Sequence, residues 1–282
     1  MKGAVGALSA GAAAPAGARS ELAWWLEPAE IVAAPISRVG SKARTLARHR
    51  LAGLPVLDLV VVPPEQEIGS AAALARRFAG RCCVLRSSAP DEDLAGASQA
   101  GRYLSLTLEL GDAAALERAL ARVRESGPPG SPPIPVLIQP RLAPDVTAGV
   151  AFSRHPLRRG EACLEAARAS VDGVTSGTTE PEYWFWDRQG ARLTGRGRRV
   201  GRGAPVLTAA AARTLLSLAL RLEGGSGEGR DIEWAWDGAR AILLQDRPLA
   251  TGAGVSDYFL PERFPQGVSR LGWSLLLPFA KK

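Results

Sequence analysis

The sequence predicts an α+β fold, in which helices are mixed with β-hairpins rather than alternating regularly with parallel strands. The first observation is that some segments carry apolar residues at helical spacing, whereas others are short alternating or apolar runs bounded by Gly and Pro. The second observation is size. A chain of 282 residues, 46% hydrophobic and 22% charged, can form one large domain or two lobes and bury a substantial core.

The individual elements follow from these patterns in chain order. A Gly-Ser pair precedes apolar residues at 43, 46, 47 and 51, and this spacing predicts the first helix. Helices are predicted at 42–52, 70–79, 112–125 and 208–223. Strands are predicted at 55–62, 82–86, 102–109, 134–140, 147–153, 162–166, 182–187, 231–236 and 240–245. The stretch 195–202, rich in Gly and Arg, is predicted to be a loop between strands.

The predicted organisation of the chain has four parts. Residues 1–20 are rich in Ala and Gly, lack the Leu-type apolar core of a signal peptide, and are predicted to be a disordered tail or a start-site extension. Residues 21–133 are predicted to form an N-terminal lobe that ends in a stiff Pro-rich stretch, and residues 134–250 a C-terminal lobe. The apolar segment within 251–282 predicts a linker or docking tail.

Composition and charge exclude several classes of protein. No apolar run reaches transmembrane length, so we predict no membrane partner. The net charge is +7, but the Arg-rich stretch has no interleaved aromatic residues and no recognition-helix pattern, so we predict no nucleic-acid partner. The cysteines are Cys82, Cys83 and Cys163, an odd number without metal-ligand spacing. They favour a reducing, cytoplasmic location over disulfides or zinc.

A predicted hairpin near the C-terminal end carries the most informative side chains. Asp231 and Glu233 lie two residues apart on one strand, and Gln245 and Arg247 do so on the next, so each pair shares a face. A three-residue loop would place Asp231 opposite Gln245 and bring the four polar groups together. Carboxylate and amide oxygens suit Mg²⁺, and Arg binds phosphate through its planar fork. An ordinary hairpin with solvated charges is the alternative.

The distribution of lysine singles out one residue. Of the 35 basic residues only four are Lys, and Lys42 is the one that lies away from the ends of the chain. It stands at the start of a predicted helix, where a positive charge opposes the helix dipole. A role in binding a nucleotide phosphate would account for its presence, and chance survival of one Lys is the alternative.

A loop of small residues follows the strand at 82–86. Arg86 ends this strand, and small residues allow the backbone to approach a ligand while their N–H groups bind phosphate oxygens. The small residues predicted to line this site are Ser87, Ser88, Gly96, Ser98 and Gly101. On its own such a loop is weak evidence, because most Gly-rich and Ser-rich loops are plain connections.

These motifs occur together in one known family. The chain resembles the N-terminal nucleotide-binding module of phosphoenolpyruvate synthases and pyruvate phosphate dikinases, whose relatives include the rifampin phosphotransferases. The resemblance covers about 38–278, nearly the whole chain. The matching motifs, in the order of the family, lie at 39–46, 53–62, 85–103, 138–156, 231–235 and 243–248.

The resemblance implies an ATP-grasp-like fold with ATP and Mg²⁺ between two lobes. In the family this module passes a phosphoryl group from ATP to a histidine on a swivelling domain, with AMP and phosphate as by-products. The implied catalytic residues are Lys42, Arg86 and Arg247. The implied metal ligands are Asp231, Glu233 and Gln245. The implied nucleotide contacts are Lys42, Arg86, Ser87, Ser88, Gly96, Ser98, Gly101, Glu165, Gly177 and Gln245.

Two of the chain's departures from the family bear on its function. Neither His49 nor His155 lies in a carrier motif, so a phosphohistidine carrier is expected on a separate domain or partner. His49 is predicted to be a surface residue and His155 a structural one. The glycine-rich segment at 165–177 has lost its family core, although Glu165 and Gly177 remain. The second hypothesis is therefore a degenerate, non-catalytic nucleotide-binding or regulatory subunit.

Overall fold

The polypeptide forms two antiparallel sheets with helices between and around them. The structure is a computed structural model that describes residues 24–91, 104–143, 146–155, 160–168, 182–198 and 205–249. The helices are α1 (Pro28–Ala33), α2 (Ile36–Val39), α3 (Ser41–Leu51), α4 (Ala71–Arg77), α5 (Ala113–Arg124) and α6 (Ala209–Ser226). The strands are β1 (Val60–Val62), β2 (Cys82–Ser87), β3 (Ser105–Glu109), β4 (Val136–Pro140), β5 (Thr147–Phe152), β6 (Glu161–Arg168), β7 (Glu182–Asp187), β8 (Arg192–Arg198), β9 (Arg230–Trp236) and β10 (Ala241–Pro248).

The predicted α+β class is confirmed, because every strand pair in both sheets is antiparallel and the helices are interspersed. The first sheet has the order β1-β4-β2-β3, and the second has the order β10-β9-β5-β6-β7-β8. Among the described residues, no helix is long and apolar enough to cross a membrane.

The structure differs from the sequence predictions at four places. Strand β4 pairs with β1 and β2, so the first sheet extends to Pro140, whereas the C-terminal lobe was predicted to begin at residue 134. Part of the Gly/Arg-rich stretch predicted as a loop forms β8, because β7 supplies its backbone with hydrogen-bond partners. Only Val60–Val62 of the predicted strand 55–62 is extended in the sheet. The short helices α1 and α2 were not predicted.

The two largest hydrophobic cores hold the sheets. One face of the four-stranded sheet packs on α4 and α5 through residues that include Phe78, Leu85 and Leu120, all fully buried. The other core joins α1 and α3 to α6 and to one face of the six-stranded sheet, where Trp234 is fully buried. We call this helix-covered face of the six-stranded sheet the back face, and the opposite one the front face. The side chains of Asp231, Glu233, Gln245 and Arg247 belong to the front face.

Close packing on the back face of the six-stranded sheet requires a glycine. A Cβ atom at Gly149 would lie 1.8 Å from the carbonyl oxygen of Glu165 and 2.7 Å from Cζ2 of Trp234. Both distances are far below van der Waals contact. The sheet therefore holds β9, which carries Asp231 and Glu233, in a densely packed position.

Asp58, Arg77 and Arg50 form an ion-paired cluster in the N-terminal part of the chain, and this cluster should make the stability of the fold depend on pH. The carboxylate of Asp58 accepts hydrogen bonds from Nη1 of Arg77 at 2.5 Å and from Nη2 at 3.0 Å, and Arg50 lies 3.3 Å away. Burial tends to raise the pKa of Asp58. The hydrogen bonds from Arg77 and the charges of Arg77 and Arg50 outweigh burial and lower that pKa below its ordinary value of 3.8.

We expect Asp58→Asn to lower the free energy of unfolding by about 1–2 kcal/mol at neutral pH. A depressed pKa gives stability that is present above the unfolded pKa and lost as pH falls through the folded pKa. The difference between wild type and variant should therefore shrink as the pH falls from about 5 to below 3. Urea unfolding at several pH values checks this, with the exposed Glu228→Gln as control. A difference that stays constant over this range would contradict the prediction.

Candidate nucleotide and metal site

The hairpin β9–β10 brings the four predicted polar side chains onto one face. Gln245 lies opposite Glu233, and Arg247 lies opposite Asp231. This differs from the predicted pairing of Asp231 with Gln245. The loop has four residues, 237–240, and would by itself have put Leu244 opposite Glu233. An irregularity between Leu243 and Gln245 adds one residue to β10 and shifts the pairing to Gln245.

The longer loop has a local cause. The side chain of Asp237 accepts hydrogen bonds from the backbone N–H groups of Ala239 and Arg240, at 3.0 and 2.9 Å. Gly238 adopts a φ of 96°, which favours glycine. An Asp at the first loop position whose side chain accepts from the backbone two and three residues on is a sequence signal typical of such turns.

Arg86 reaches the hairpin from the other sheet. It lies on β2, and its Nη1 donates to the carbonyl oxygen of Leu244 at 3.3 Å. Its Nη2 donates to Oε1 of Gln245 at 3.3 Å and lies 3.9 Å from Oε2 of Glu233. The side chains of Arg86 and Glu233 are only 17% and 15% exposed, so their charges interact with little screening by water. One guanidinium, one amide and one carboxylate from two sheets thus share a site.

The second cross-strand pair is an ion pair. Nε of Arg247 donates to Oδ2 of Asp231 at 2.9 Å, and the side chain of Asp231 is 6% exposed. Arg247 is therefore held in place beside the Glu233–Gln245 pair. The carboxylate of Asp231 already has a cationic neighbour in this arrangement. Of the two carboxylates, Glu233 has the longer and weaker contact with a guanidinium.

Lys42 lies in the first turn of α3 and is 6% exposed. The start of this helix packs against the residues that follow β2. The backbone N–H of Ala43 donates to Oγ of Ser88 at 3.0 Å, and Ser41 donates through Oγ to the carbonyl oxygen of Ala89. Because Ser88 lies two residues after Arg86, these contacts place the first turn of α3 close to the Arg86 site.

Gly40 makes this close approach possible. Its φ is 76°, and a Cβ atom there would lie 1.5 Å from the carbonyl oxygen of Ser88. Ser87 and Ser88 are themselves buried, at 2% and 0% exposure. The structure gives the Ser88 hydroxyl a role that the sequence did not predict, because it accepts a helix N–H that would otherwise lack a partner.

Glu165 lies on the front face at the same level as the Glu233–Gln245 pair. Val150 of β5 is the cross-strand partner of both Glu233 and Glu165. Two strand spacings separate the two glutamates, about 10 Å between backbones. The apolar surface beside this row is formed by Val150, Phe152, Cys163 and Phe185. The front face therefore offers charged groups next to an apolar surface.

Gln139 is a further candidate that sequence reasoning did not select. It lies on β4 opposite Val84, on the same face of the four-stranded sheet as Arg86. Its side chain is buried, and within the described part of the chain its Nε2 has no hydrogen-bond partner. A buried amide donor costs free energy unless something accepts from it. The signal in the sequence is one Gln inside the apolar run of β4.

The chemistry of the site fits a phosphate–metal ligand rather than a metal held by protein alone. Within the residues described, no group of three or more His, Cys, Asp and Glu side chains could hold a metal ion. Mg²⁺ commonly takes one or two carboxylates and completes its shell with phosphate oxygens and water. The carboxylates of Asp231 and Glu233, with the amide of Gln245, fit that pattern. Four other predicted residues, Gly96, Ser98, Gly101 and Gly177, lie outside the described ranges.

Both histidine rings contact other side chains of the fold. Nε2 of His49 lies 2.6 Å from Oδ2 of Asp246, so the prediction of a surface His49 is wrong. The side chain of His49 is 20% exposed and that of Asp246 only 2%. His155 is 7% exposed and stacks on Phe185, with ring centroids 5.9 Å apart. Its structural role, predicted from sequence, agrees with this packing.

Comparisons with known proteins support the resemblance. A scan of protein-family models finds no match. The chain is 28% identical over 252 residues to a rifampicin phosphotransferase of a Streptomyces species, covering 77% of this chain and 29% of that protein. It is 25% identical over 204 residues to a probable phosphoenolpyruvate synthase of Archaeoglobus fulgidus, covering 60% of this chain and 27% of that protein. The similarity predicted from the motifs is confirmed, and the chain spans less than a third of either relative.

Similar solved structures include two D-alanine–D-alanine ligases. The ligase of Helicobacter pylori has a TM-score of 0.45 and 14% identity, covering 85% of this chain and 61% of that chain. The ligase of Coxiella burnetii has a TM-score of 0.43 and 9% identity, covering 82% of this chain and 50% of that chain.

Proposed function

We propose that this chain is the ATP-binding component of a dikinase-type phosphotransferase similar to phosphoenolpyruvate synthase. It would have an ATP-grasp-like fold, bind ATP with Mg²⁺ between its lobes, and pass a phosphoryl group to a carrier histidine on a separate domain or partner. The observation that carries this proposal is the reach of Arg86 from one sheet to Glu233 and Gln245 of the other. Such a site combines phosphate-binding and metal-binding groups in a mostly buried setting.

Each side chain has a role that its chemistry supports. Lys42 and Arg86 would neutralise phosphate charge, and Arg247, held by Asp231, would contact the transferred group. Glu233 and Gln245, with Asp231, would supply oxygens to Mg²⁺, which would balance charge that develops on the phosphates. Gln139 would donate its amide hydrogen to the nucleotide. Ser87 and Ser88, the loop glycines and serine at 96, 98 and 101, Glu165 and Gly177 would complete the nucleotide contacts.

The carrier histidine would lie outside these residues. The ring of His49 is bonded to a buried carboxylate, and His155 is buried against Phe185. Neither ring is in a position to visit two distant sites. In the relay, ATP, one water molecule and the carrier histidine would yield AMP, phosphate and a phosphohistidine on the carrier. The final acceptor would be chosen by the carrier's own partner domain.

Calorimetry with Mg²⁺ and ATP tests the nucleotide site. We expect binding in the micromolar range, typical of enzyme affinities, and a weakening of about tenfold or more in Arg86→Gln. The matched control is Arg192→Gln, because the Arg192 side chain is 76% exposed and far from the hairpin site in the sheet order. No heat and no thermal shift at millimolar nucleotide would contradict the proposal. Binding without any phosphoryl transfer would favour the regulatory alternative.

A further inference from the structure

The back face of the hairpin holds a buried ionic group directly behind the candidate site. Oδ1 of Asp246 accepts a hydrogen bond from Nε of Arg230 at 2.7 Å, and Oδ2 of Asp246 lies 2.6 Å from Nε2 of His49. The side chains of Asp246 and Arg230 are 2% and 9% exposed. The three residues come from α3, β9 and β10, so this group joins one helix to two strands.

Each strand member of this group is a direct chain neighbour of site residues. Asp246 stands between Gln245 and Arg247, and Arg230 precedes Asp231. Successive side chains of a strand point to opposite faces. Fixing Asp246 and Arg230 on the back face therefore fixes the directions of their neighbours on the front face.

His49, the residue of the group that lies on α3, is connected through this helix to Lys42. His49 follows Lys42 by seven residues, which is close to two full helical turns, so both lie on one side of α3. The rise between them is about 10 Å. The first turn of α3 is already tied to Ser88, and its last turn is tied through Arg50 to the carbonyl oxygen of Val56. The His49–Asp246 bond adds a direct link from the helix to β10.

We propose that His49, Asp246 and Arg230 are positioning residues that hold α3 against the β9–β10 hairpin and so set Lys42 at a fixed place relative to Glu233 and Gln245. Apolar residues alone could pack this junction, since Leu46 and Leu243 are fully buried in the same core. A buried ion pair requires a defined geometry, because a buried charge that loses its partner strongly destabilises the fold. The inference rests on the proposed nucleotide site for its functional consequence.

The test compares three variants for Mg²⁺–ATP affinity and for thermal stability. His49→Leu removes the bond to Asp246, whereas His49→Gln keeps an amide nitrogen near the position of Nε2. The control, Glu27→Gln, weakens the ion pair between Glu27 and Arg77, neither of which lies on α3 or on the β9–β10 hairpin. We expect the Kd to rise about tenfold in His49→Leu, to stay within about threefold in His49→Gln, and to be unchanged in the control.

A positioning role and a purely stabilising role predict different changes of Kd in these variants. If the group only stabilises the fold, His49→Leu and Glu27→Gln will both lower Tm and leave the Kd unchanged, which would overturn the proposal. Asp246→Asn serves as a second variant if His49→Leu does not fold, and it should also raise the Kd. An unchanged Kd in that variant would likewise overturn it.

Failure of the proposed function gives a different result, namely a wild-type protein that binds no nucleotide. The positioning of the hairpin can then be followed by hydrogen exchange. We expect the backbone amides of β10 to exchange faster in His49→Leu than in wild type, with no such change in Glu27→Gln. Equal exchange in wild type and His49→Leu would overturn the positioning role without reference to ATP.

Discussion

Replacing Glu233 by Gln should reduce phosphoryl transfer by about 100-fold or more, while the protein remains folded. Glu233 is the front-face carboxylate that lies opposite Gln245 and 3.9 Å from Arg86. The substitution keeps the shape of the side chain but removes the charge of a proposed metal ligand. Losing one group that stabilises charge in a transition state commonly costs two to three orders of magnitude in rate. Single-turnover transfer from ATP to a carrier protein, with Mg²⁺ in excess, measures the effect.

The matched control for this prediction is Glu228→Gln. Glu228 is exposed in the turn just before β9, so the change in net charge and in side-chain chemistry is the same. We expect its transfer rate to stay within about twofold of wild type, because exposed substitutions away from a site have small effects. Normal transfer by Glu233→Gln would show that this carboxylate does not act in the reaction.

Replacing Trp234 by Ala should lower the free energy of unfolding by about 3–5 kcal/mol. The indole is fully buried on the back face of β9, and Cζ2 faces the position where Gly149 has no side chain. Removing it leaves a cavity beneath the strand that carries Asp231 and Glu233. Urea unfolding followed by far-UV circular dichroism measures the loss. Such a loss would approach the whole stability of many domains.

Trp236→Ala is the control on the same strand. Trp236 is also a tryptophan of the back face but is only partly buried, so we expect a smaller loss. If Trp234→Ala destabilised the protein no more than Trp236→Ala, the packing of β9 would not be the main support of the hairpin.

For the β9–β10 hairpin, the sequence predicted which side chains share a face but not how the two strands pair. Alternation along each strand sufficed to place Asp231, Glu233, Gln245 and Arg247 on one face, because side-chain direction in a strand has a period of two. The pairing between the strands depended on the loop length and on an extra residue near Leu244. The observed register differs from the predicted one by two positions, which keeps the four side chains on one face but changes which of them pair, and strand alternation alone does not encode it.

The sequence did not predict contacts between residues that lie far apart along the chain. His49 lies among Arg residues on a helix and its partner Asp246 is 197 residues away, so no local pattern pointed to their bond. The same holds for Ser88, whose hydroxyl accepts from Ala43 of another element. Strand β4 was predicted as a strand, but its place in the first sheet depends on pairing with β1 and β2.

The most direct test of the relay follows label from ATP to a histidine carrier. The chain is incubated with Mg²⁺, candidate small-molecule acceptors and ATP labelled at both the β- and γ-phosphates, with and without a separate histidine-carrier protein. We expect acid-labile label on the carrier, loss of this label when the carrier histidine is replaced, and no labelled small-molecule product from the chain alone. Phosphorylation of a small acceptor by the chain alone, unaffected by His49→Ala and His155→Ala, would contradict the account and indicate direct transfer.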